Sequence, residues 1–392
     1  MPVRATKRGA DRTPLRGEAD VLICGASFAG LAVARELRAS GARVMVLDRY
    51  EIGERQTSAC AVPTEWLEHL GLTGSIRQTF DSLVTHTRGR TVRWPLPFKF
   101  STFDYEPLCE DLWAQCGDAE FETAKVDGRD VVRRDGVPEA ETHIVHTDRG
   151  DISAPLIVDA LGWRRVLSNR EPIQPPNARM SRGLEVHPAG SGDDLELWID
   201  RRITPIGYGW AFPAGDEVRI GIGSFDPHHH VKDETNSLSR EVGIEPEGYQ
   251  GNWIPHKIRG GVEDGIFFVG DSAGHCIPLS AEGIRTAFYF GIACGRELRA
   301  VLEGRQHRAT ALARYDEFHA EHAWKFDWML RWQQGIPRVH PWLLDRLSAS
   351  VRHERIAHWA FGHYLRIAPP DFALPAPPEA VEPKRAGEAV AA

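Results

Sequence analysis

A glycine-rich turn between an apolar run and a helical pattern constrains this chain more than any other feature. Val21 to Cys24 is a short, wholly apolar run of the kind that forms a buried parallel strand. The turn spans 25–30, helical spacing follows over 31–39, and a second apolar run ends in Asp48. This order of strand, glycine turn, helix, strand and acid predicts a βαβ dinucleotide-binding unit.

Each part of the turn has a predicted role. Gly25 permits the tight turn, Gly30 lets the helix pack against the strand, and the first helical amides point at a pyrophosphate. Asp48 is expected to accept the hydroxyls of an adenosine ribose, which disfavours a 2′-phosphate. Ser27 replaces the middle glycine of the pattern, and its small side chain still leaves room for the pyrophosphate. The residues predicted to form this part of the site are Gly25, Ser27, Phe28, Ala29, Gly30, Asp48, Arg49 and Arg55.

Two later strand-and-turn elements indicate which dinucleotide is bound. One spans 156–163, and the other spans 266–274 and leads into a helix after Pro278. In this order the elements resemble the FAD-binding domain of the superfamily of aromatic hydroxylases and geranylgeranyl reductases. The resemblance implies that Gly270 and Asp271 hold the ribityl chain, and that amides of Gly283 and Ile284 face the flavin. Helix-terminal amides there would stabilise the negative charge of reduced flavin.

A tyrosine and tryptophan motif suggests the substrate class. Residues 195–223 alternate apolar and polar side chains around a Gly-Asp turn, which predicts antiparallel strands of a second sheet. Residues 205–213 fit the pattern PxxYxWxFP, which resembles the substrate-domain motif of the geranylgeranyl reductases. Members of that family saturate isoprenoid double bonds, so the resemblance implies that Tyr208, Trp210 and Phe212 contact an apolar substrate. The alternative is that the three rings fill the core of the sheet.

Candidate proton donors follow from the same resemblance. Geranylgeranyl reductases place a cysteine beside the isoalloxazine ring, and Cys60 matches that position, although Ala61 stands where glycine is usual. Cys60 and Tyr208 are the predicted catalytic residues, with Glu282 as a weaker third donor. Cys60 could also pair with Cys276, or act only as a small buried hydrophobic residue. Another departure is that the stretch near 105 lacks the arginine that relatives often use to reach the FAD.

The predicted fold is α/β, with a Rossmann-type FAD-binding domain, a second antiparallel-sheet substrate domain and a C-terminal helical segment. The expected division is a disordered tail over 1–18, an FAD-binding domain over 19–95, 120–180 and 256–305, a substrate domain over 96–119 and 181–255, C-terminal helices over 306–368, and a disordered tail over 369–392. Trp324, Trp328 and Trp332 recur every four residues on one helix face. They could wall an apolar channel, contact a membrane surface, or pack on the sheet.

Composition excludes several classes of protein. The net charge of −8 disfavours a nucleic-acid partner, and no apolar run is long enough to span a bilayer. The first 18 residues lack the apolar stretch of a secretory signal, and the six cysteines show no zinc or disulfide-framework spacing. The histidines at 228–230 have no second ligand cluster, so no metal is expected. We expect a cytoplasmic protein, with peripheral contact to a membrane as an addition.

The resulting hypothesis is an FAD-dependent oxidoreductase that reduces carbon–carbon double bonds of an isoprenoid or similar apolar substrate. Hydride would come from flavin N5, and the reductant would be NADH, NADPH or a one-electron carrier. A monooxygenase acting on an apolar or aromatic natural product is the alternative. A halogenase is less favoured because no lysine lies about thirty residues past the acid. A prenyl-binding escort protein that does no redox chemistry is disfavoured, because it would not need Asp271 to hold a flavin. Oligomeric state is not predicted.

Overall fold

The structure is a computed structural model that describes residues 3–4, 13–56, 58–132, 141–169 and 180–375. The strands are β1 (Val3–Arg4), β2 (Gly17–Glu18), β3 (Val21–Cys24), β4 (Val44–Asp48), β5 (Ala61–Pro63), β6 (Ile76–Thr87), β7 (Thr91–Phe103), β8 (Glu120–Thr123), β9 (Val126–Val132), β10 (Thr142–Thr147), β11 (Gly150–Ala154), β12 (Leu156–Asp159), β13 (Met180–Val186), β14 (Leu195–Ile199), β15 (Gly207–Ala214), β16 (Glu217–Ser224), β17 (Gln250–Pro255), β18 (Val262–Glu263) and β19 (Ile266–Phe268). The helices are α1 (Phe28–Glu36), α2 (Thr64–Leu70), α3 (Tyr105–Ala114), α4 (Lys232–Glu241), α5 (Ile284–Leu302), α6 (Arg308–Gly335), α7 (Pro341–Ser350) and α8 (Glu354–Leu365).

A seven-stranded sheet forms the nucleotide-binding layer, in the order β1-β8-β4-β3-β12-β19-β18. Its strands are parallel except for the pair of β18 and β19. Both faces are covered, which explains why strand β3 is an unbroken apolar run. On one face α5 packs on α1 so closely that a Cβ at Gly291 would lie 2.7 Å from the Ala29 carbonyl oxygen. On the other face Leu22 and Phe268 join a buried cluster with the small sheet β2-β11-β10-β9. The predicted Rossmann-type domain is confirmed.

An eight-stranded sheet, in the order β17-β13-β16-β15-β14-β6-β7-β5, forms the second layer. It is antiparallel except for the parallel pair β6 and β14. The predicted Gly-Asp turn joins β15 to β16, and Gly215 has a positive φ of 75° there. The second, antiparallel sheet of the predicted fold is therefore confirmed.

The boundary between the layers differs from the expected one at 95–96. Strands β6 and β7 belong to the second sheet, although residues 76–95 were assigned to the FAD-binding domain. Helix α3 packs against α1 of the nucleotide-binding layer, although residues 96–119 were assigned to the substrate domain. The reason is that β6 pairs with β14, more than a hundred residues later, and this pairing decides to which sheet the β6–β7 hairpin belongs.

Parts of both predicted tails are ordered against the body of the protein. Strand β1 pairs with β8, β2 pairs with β11, and the buried Leu15 donates its amide to the Arg149 carbonyl, 2.8 Å away. At the other end a 3₁₀ turn, Pro370–Ala373, brings the Phe372 ring to 4.3 Å from the Tyr289 ring. The tail assignment is therefore wrong at these positions, because isolated apolar side chains find partners that composition does not reveal. Residues 1–2, 5–12 and 376–392 of the two tails lie outside the described ranges.

The C-terminal helices α6, α7 and α8 confirm the predicted helical segment. Helix α6 packs against α5 and β18 of the nucleotide-binding layer, whereas α7 and α8 pack against β6 and β7 of the second sheet. The indole N–H of Trp94 on β7 donates to the Ser348 carbonyl at 2.9 Å, and Phe98 contacts Phe361 edge to face. Over the residues that the structure describes, no helix is both long enough and apolar enough to cross a membrane.

Candidate active site

The glycine turn has the close contacts that its sequence predicts. Gly25 has a φ of 115°, and a Cβ there would lie 2.2 Å from the Ala160 carbonyl oxygen. A Cβ at Gly30 would lie 1.9 Å from the Gly25 carbonyl oxygen. Any larger side chain would therefore separate β3, α1 and β12. This packing leaves the first amides of α1, which begins at Phe28, directed at the cavity.

Asp48 shapes the turn as well as facing the cavity. Its carboxylate accepts the Ala26 amide at 2.9 Å and the Tyr50 amide at 3.0 Å. Burial raises the pKa of Asp48 above its usual range, and these backbone donors act in the opposite direction. Each oxygen has lone-pair capacity left for a ribose hydroxyl. Asp48 can therefore hold a ribose while it fixes the loop.

One large cavity, of about 1320 Å³, lies between the two sheets and the C-terminal helices. It exceeds the usual range of roughly 300–1,000 Å³ for small-molecule pockets, so it has room for a dinucleotide and a further ligand. The predicted site residues that line it are Ser27, Phe28, Ala29, Asp48, Arg49, Arg55, Cys60, Tyr208, Trp210, Phe212, Gly270, Asp271, Gly283 and Ile284. Gly25 and Gly30 lie behind the turn, where they set its shape.

Asp271 and the start of α5 form a second part of the cavity wall. Helix α5 begins at Ile284, so its first amides have no partner within the helix. A Cβ at the preceding Gly283 would lie 3.7 Å from Asp271 Oδ1, so the carboxylate and the helix start are neighbours. Burial raises the pKa of Asp271 to about 6, and the charge of Arg259 opposes that rise. This pairing of hydrogen-bonding groups fits a flavin and its ribityl chain.

The raised pKa of Asp271 predicts a pH-dependent stability. Because the pKa of Asp271 in the folded protein lies above its usual value, the protonated carboxyl group stabilises the fold relative to the charged one. This contribution to stability is fully present below about pH 4 and is lost as pH rises through about 6. We expect Asp271→Asn to stabilise the FAD-free protein at pH 8 by on the order of 2 kcal/mol, and to weaken FAD binding. Thermal melts at pH 4.5 and 8 measure this effect, with the exposed Asp316→Asn as control. Equal melting temperatures for wild type and Asp271→Asn at pH 8 would argue against it.

Cys60 lies in a strained part of the cavity wall. It is fully buried and has a φ of 50°, which is uncommon for a residue with a side chain. The buried Arg219 holds this loop by donating to the carbonyls of Ala59 and Phe103 at 2.9 and 2.8 Å. Burial raises the pKa of the Cys60 thiol well above its usual value. Cys60 and Cys276 are both free thiols in this structure, so the suggested pairing is not formed.

The motif on β15 presents its three rings to the cavity. Tyr208, Trp210 and Phe212 all line it, as alternation on one strand predicts. The Tyr208 hydroxyl donates to the Ser280 carbonyl at 2.6 Å, and burial raises its pKa. The indole of Trp210 lies over Gly221, where a Cβ would be only 2.2 Å from the ring. Small residues on β16 thus give the indole its place in the wall.

Other residues of the site were not predicted. Strand β7 contributes Trp94, Leu96, Phe98 and Phe100 to the cavity wall, and β13 contributes Glu185. The alternation on β7 was a usable signal, but prolines at 95 and 97 argue against a strand. Nothing near Glu185 in the sequence distinguishes it from a solvated glutamate.

Glu282, the third candidate donor, is tied to its neighbours. Its carboxylate accepts from Arg285 Nε at 2.7 Å and from the Tyr364 hydroxyl. Arg285 in turn donates to three carbonyls at the end of α8, at Tyr364, Leu365 and Ala368. Glu282 is therefore engaged in joining the C-terminal helices to the start of α5.

Comparison with known proteins agrees with this site. Residues 18–123 match the model of an FAD-binding domain. Digeranylgeranylglycerophospholipid reductase 2 of Methanopyrus kandleri is 25% identical over 377 residues, which cover 86% of this chain and 92% of that protein. With the site geometry, these matches define the chain as an FAD-dependent oxidoreductase. Within this class it resembles the geranylgeranyl reductases, which confirms the resemblance seen in its sequence.

Solved structures show the same fold. A geranylgeranyl bacteriochlorophyll reductase-like protein from Thermoplasma acidophilum has a TM-score of 0.77 at 15% identity, covering 91% of this chain and 98% of that one. PqsL from Pseudomonas aeruginosa, described as a probable FAD-dependent monooxygenase, has a TM-score of 0.64 at 17% identity, covering 88% and 100%. At these identities the likeness concerns the fold alone.

Proposed function

We propose that this protein reduces carbon–carbon double bonds of an isoprenoid lipid. The observation that supports this most is the apolar side of the cavity. Three strands of the second sheet supply it, with rings or aliphatic side chains at alternate positions along β7, β14 and β15. Such a wall suits a long hydrocarbon chain and offers little to a charged substrate. The relative named above as a digeranylgeranylglycerophospholipid reductase supports the same substrate class.

The residues on the opposite side suit FAD. Bound FAD, once reduced, would supply a hydride at N5 to a carbon that protonation of its neighbour makes electron-poor. Asp48 and the first amides of α1 would hold the adenosine and pyrophosphate, and Asp271 with the start of α5 would hold the flavin end. The apolar strands would keep water from the reacting carbons. The reductant that recharges the flavin is proposed to be NADH, NADPH or a one-electron carrier.

Product analysis tests this proposal. FAD-loaded protein is reduced with dithionite under argon and incubated with geranylgeranyl diphosphate or a geranylgeranyl glycerol lipid. We expect products that gain two hydrogen atoms per reduced double bond, detected by mass spectrometry. Recovery of unreacted polyprenyl chains after complete reduction of the flavin would contradict the proposal.

A monooxygenase is the second candidate, because the same apolar wall beside the nucleotide-binding turn would also suit an apolar substrate for oxygenation. The fold that this chain shares with PqsL is compatible with either reaction. In that case reduced protein would consume O₂ only with an apolar or aromatic substrate present, and the product would gain an oxygen atom. The same incubation repeated in air distinguishes the two, because the mass change differs.

We further propose that the protein collects its substrate from an anionic lipid surface. The contact would be the tryptophan surface, defined as Trp324, Trp328, Trp332, Trp342 and Trp359. These side chains are between 45% and 66% exposed, which is unusual for tryptophan in a soluble protein. Trp324, Trp328 and Trp359 also line the cavity, so the surface is continuous with the apolar interior. A lipid could therefore pass between the two without crossing water.

Charge supports an anionic partner for this surface. Residues 324–366 contain seven Lys and Arg against three Asp and Glu, in a chain of net charge −8. Basic residues close to exposed aromatics favour the headgroup region of a bilayer that contains anionic lipid. Arg346 lies over the ring of Trp342, which shows how closely the two residue types are mixed.

Vesicle binding tests this contact. We expect the double variant Trp324→Ser, Trp359→Ser to bind phosphatidylglycerol vesicles at least about tenfold more weakly, because two apolar contacts are lost. Neutral phosphatidylcholine vesicles should bind the wild type weakly. The control is Tyr249→Ser, an exposed aromatic outside the tryptophan surface. Equal sedimentation of the double variant and the wild type with anionic vesicles would refute the contact.

A further inference from the structure

Glu185 lines the cavity, but neither the glycine turn nor the PxxYxWxFP motif accounts for its presence there. It lies on β13 opposite Gly221 of β16, the glycine over which the Trp210 indole packs. A Cβ at Gly221 would lie 2.8 Å from Glu185 Cβ and 2.2 Å from the indole. Glu185 is thus a neighbour of Trp210 and part of the same wall. It is an acidic side chain beside the apolar indole of Trp210.

The carboxyl group is buried without a hydrogen bond. Its side chain is 4% exposed, and neither oxygen has an aligned donor among the described residues. His187 Nε2 lies 3.0 Å from Oε1, close to Glu185 although not aligned for a hydrogen bond. The Gln250 amide nitrogen lies 3.1 Å from His187 Nδ1, which favours a proton on Nε2, the atom that faces Glu185. A buried carboxyl group of this kind is costly to keep as an unpaired anion.

A series of titratable groups connects this carboxyl group to solvent. Glu217 is 32% exposed, and its Oε1 lies 3.9 Å from His187 Nδ1, while the His187 side chain is only 8% exposed. Exposure therefore falls from Glu217 through His187 to Glu185. The buried Arg219 holds Glu217 in place, with its Nε 2.7 Å from Glu217 Oε1, and Asp104 lies 3.5 Å from Arg219. This arrangement suits the entry of protons from solvent.

The other candidate donors are weaker acids or are already engaged. Burial raises the pKa of the Cys60 thiol and of the Tyr208 hydroxyl, and Tyr208 already donates to a carbonyl. Glu282 is bonded to Arg285 and Tyr364. An isolated double bond takes up hydride only when protonation is well advanced, which requires an available acid in a dry site.

We propose that Glu185 is the proton donor of this cavity and that His187 positions and reprotonates it. The inference rests on the proposed function. In that step Glu185 would give its proton to one alkene carbon while the other takes up a hydride that bound reduced FAD would supply, so that the π bond is lost and the two electrons come from the flavin. The Glu185 carboxylate would then regain a proton through His187 and Glu217.

Glu185→Gln tests this role in the FAD-loaded protein. After anaerobic reduction with dithionite, we expect alkene-dependent re-oxidation to slow by about 100-fold, while reduction by dithionite is unchanged. The wild-type rate should fall at high pH, and this fall should be absent from the variant. Glu185→Asp should restore part of the rate, and His187→Gln should lower it by roughly tenfold. The control is Glu196→Gln, because Glu196 pairs with His86 at 2.6 Å on the same sheet but does not line the cavity.

A second measurement does not depend on turnover. Burial is the main cause of the raised pKa of Cys60; the charge of Arg219 on β16 opposes the rise, and the charge of Glu185 adds to it. Removing that charge should therefore move the alkylation of Cys60 by iodoacetamide to lower pH, as followed by peptide mapping of the oxidised protein. Glu196→Gln should leave this profile unchanged.

The outcomes separate this inference from the proposed function. Wild-type protein that alkenes never re-oxidise would refute the function, and with it a proton donor for that reaction. Active wild type with an equally active Glu185→Gln variant and the same pH profile would refute the role of Glu185 alone. An unchanged Cys60 alkylation profile in Glu185→Gln would contradict the placement of the Glu185 carboxyl group beside the thiol.

Discussion

Gly25→Val protein is expected to be colourless. A Cβ at this position would lie 2.2 Å from the Ala160 carbonyl oxygen, and the φ of 115° disfavours any side chain. Strands β3 and β12 must then move apart at the point where the turn presents its amides to the pyrophosphate. We expect loss of nearly all bound flavin, measured by absorbance near 450 nm per soluble chain.

Gly41→Val is the matched control for that change. Gly41 also has a positive φ, of 74°, but nothing lies within 4 Å of the added Cβ. The Gly41→Val protein should therefore bear similar backbone strain and keep its flavin. Far-ultraviolet circular dichroism shows whether each variant is folded. A folded Gly25→Val protein with a full flavin spectrum would show that this turn does not bind the cofactor.

Trp210→Ala should separate substrate binding from cofactor binding. The Trp210 ring lies in the apolar wall that the second sheet supplies to the cavity. Asp48 and Asp271, which are proposed to hold FAD, belong to the nucleotide-binding layer. Its truncation removes apolar contact of on the order of 2–3 kcal/mol, if a substrate covers the indole. We expect the flavin content to stay near that of wild type, and substrate-dependent re-oxidation to weaken roughly tenfold or more.

Trp198→Ala is the control for a cavity in the same sheet. Trp198 on β14 is buried, stacks on His86 at 4.6 Å and does not line the cavity. Trp198→Ala should lower the melting temperature without slowing the substrate-dependent re-oxidation of flavin in the folded protein. If Trp210→Ala behaves in the same way as Trp198→Ala, its ring belongs to the core and not to a substrate site.

The nucleotide-binding half of the site could be predicted because its signals are local. Strand β3, the turn at Gly25 and Gly30 and the acid at Asp48 lie within 28 residues, and each has a backbone or packing reason. The alternation that places Tyr208, Trp210 and Phe212 on one face is local in the same sense. Their contact with substrate stays a prediction, since location in a cavity wall is compatible with other roles.

The remaining features depend on contacts between distant parts of the chain. The sheet to which β6 and β7 belong follows from the pairing of Leu83 with Leu195, which no local pattern contains. Prolines within β7 also conceal its alternation. Glu185 is buried on β13 between its partner strands β16 and β17, which are distant in the chain, so its sequence neighbours could not reveal its burial.

Anaerobic stopped-flow re-oxidation is the most direct test of alkene reduction by this protein. Flavin reduced under argon is mixed with a geranylgeranyl lipid in detergent, with the saturated phytanyl lipid as control, or with O₂ alone. We expect rapid return of the oxidised flavin spectrum with the unsaturated lipid, none with the saturated lipid, and slow reaction with O₂. Re-oxidation by O₂ that an apolar substrate accelerates, with no response to the unsaturated lipid under argon, would contradict the proposed reductase and indicate a monooxygenase.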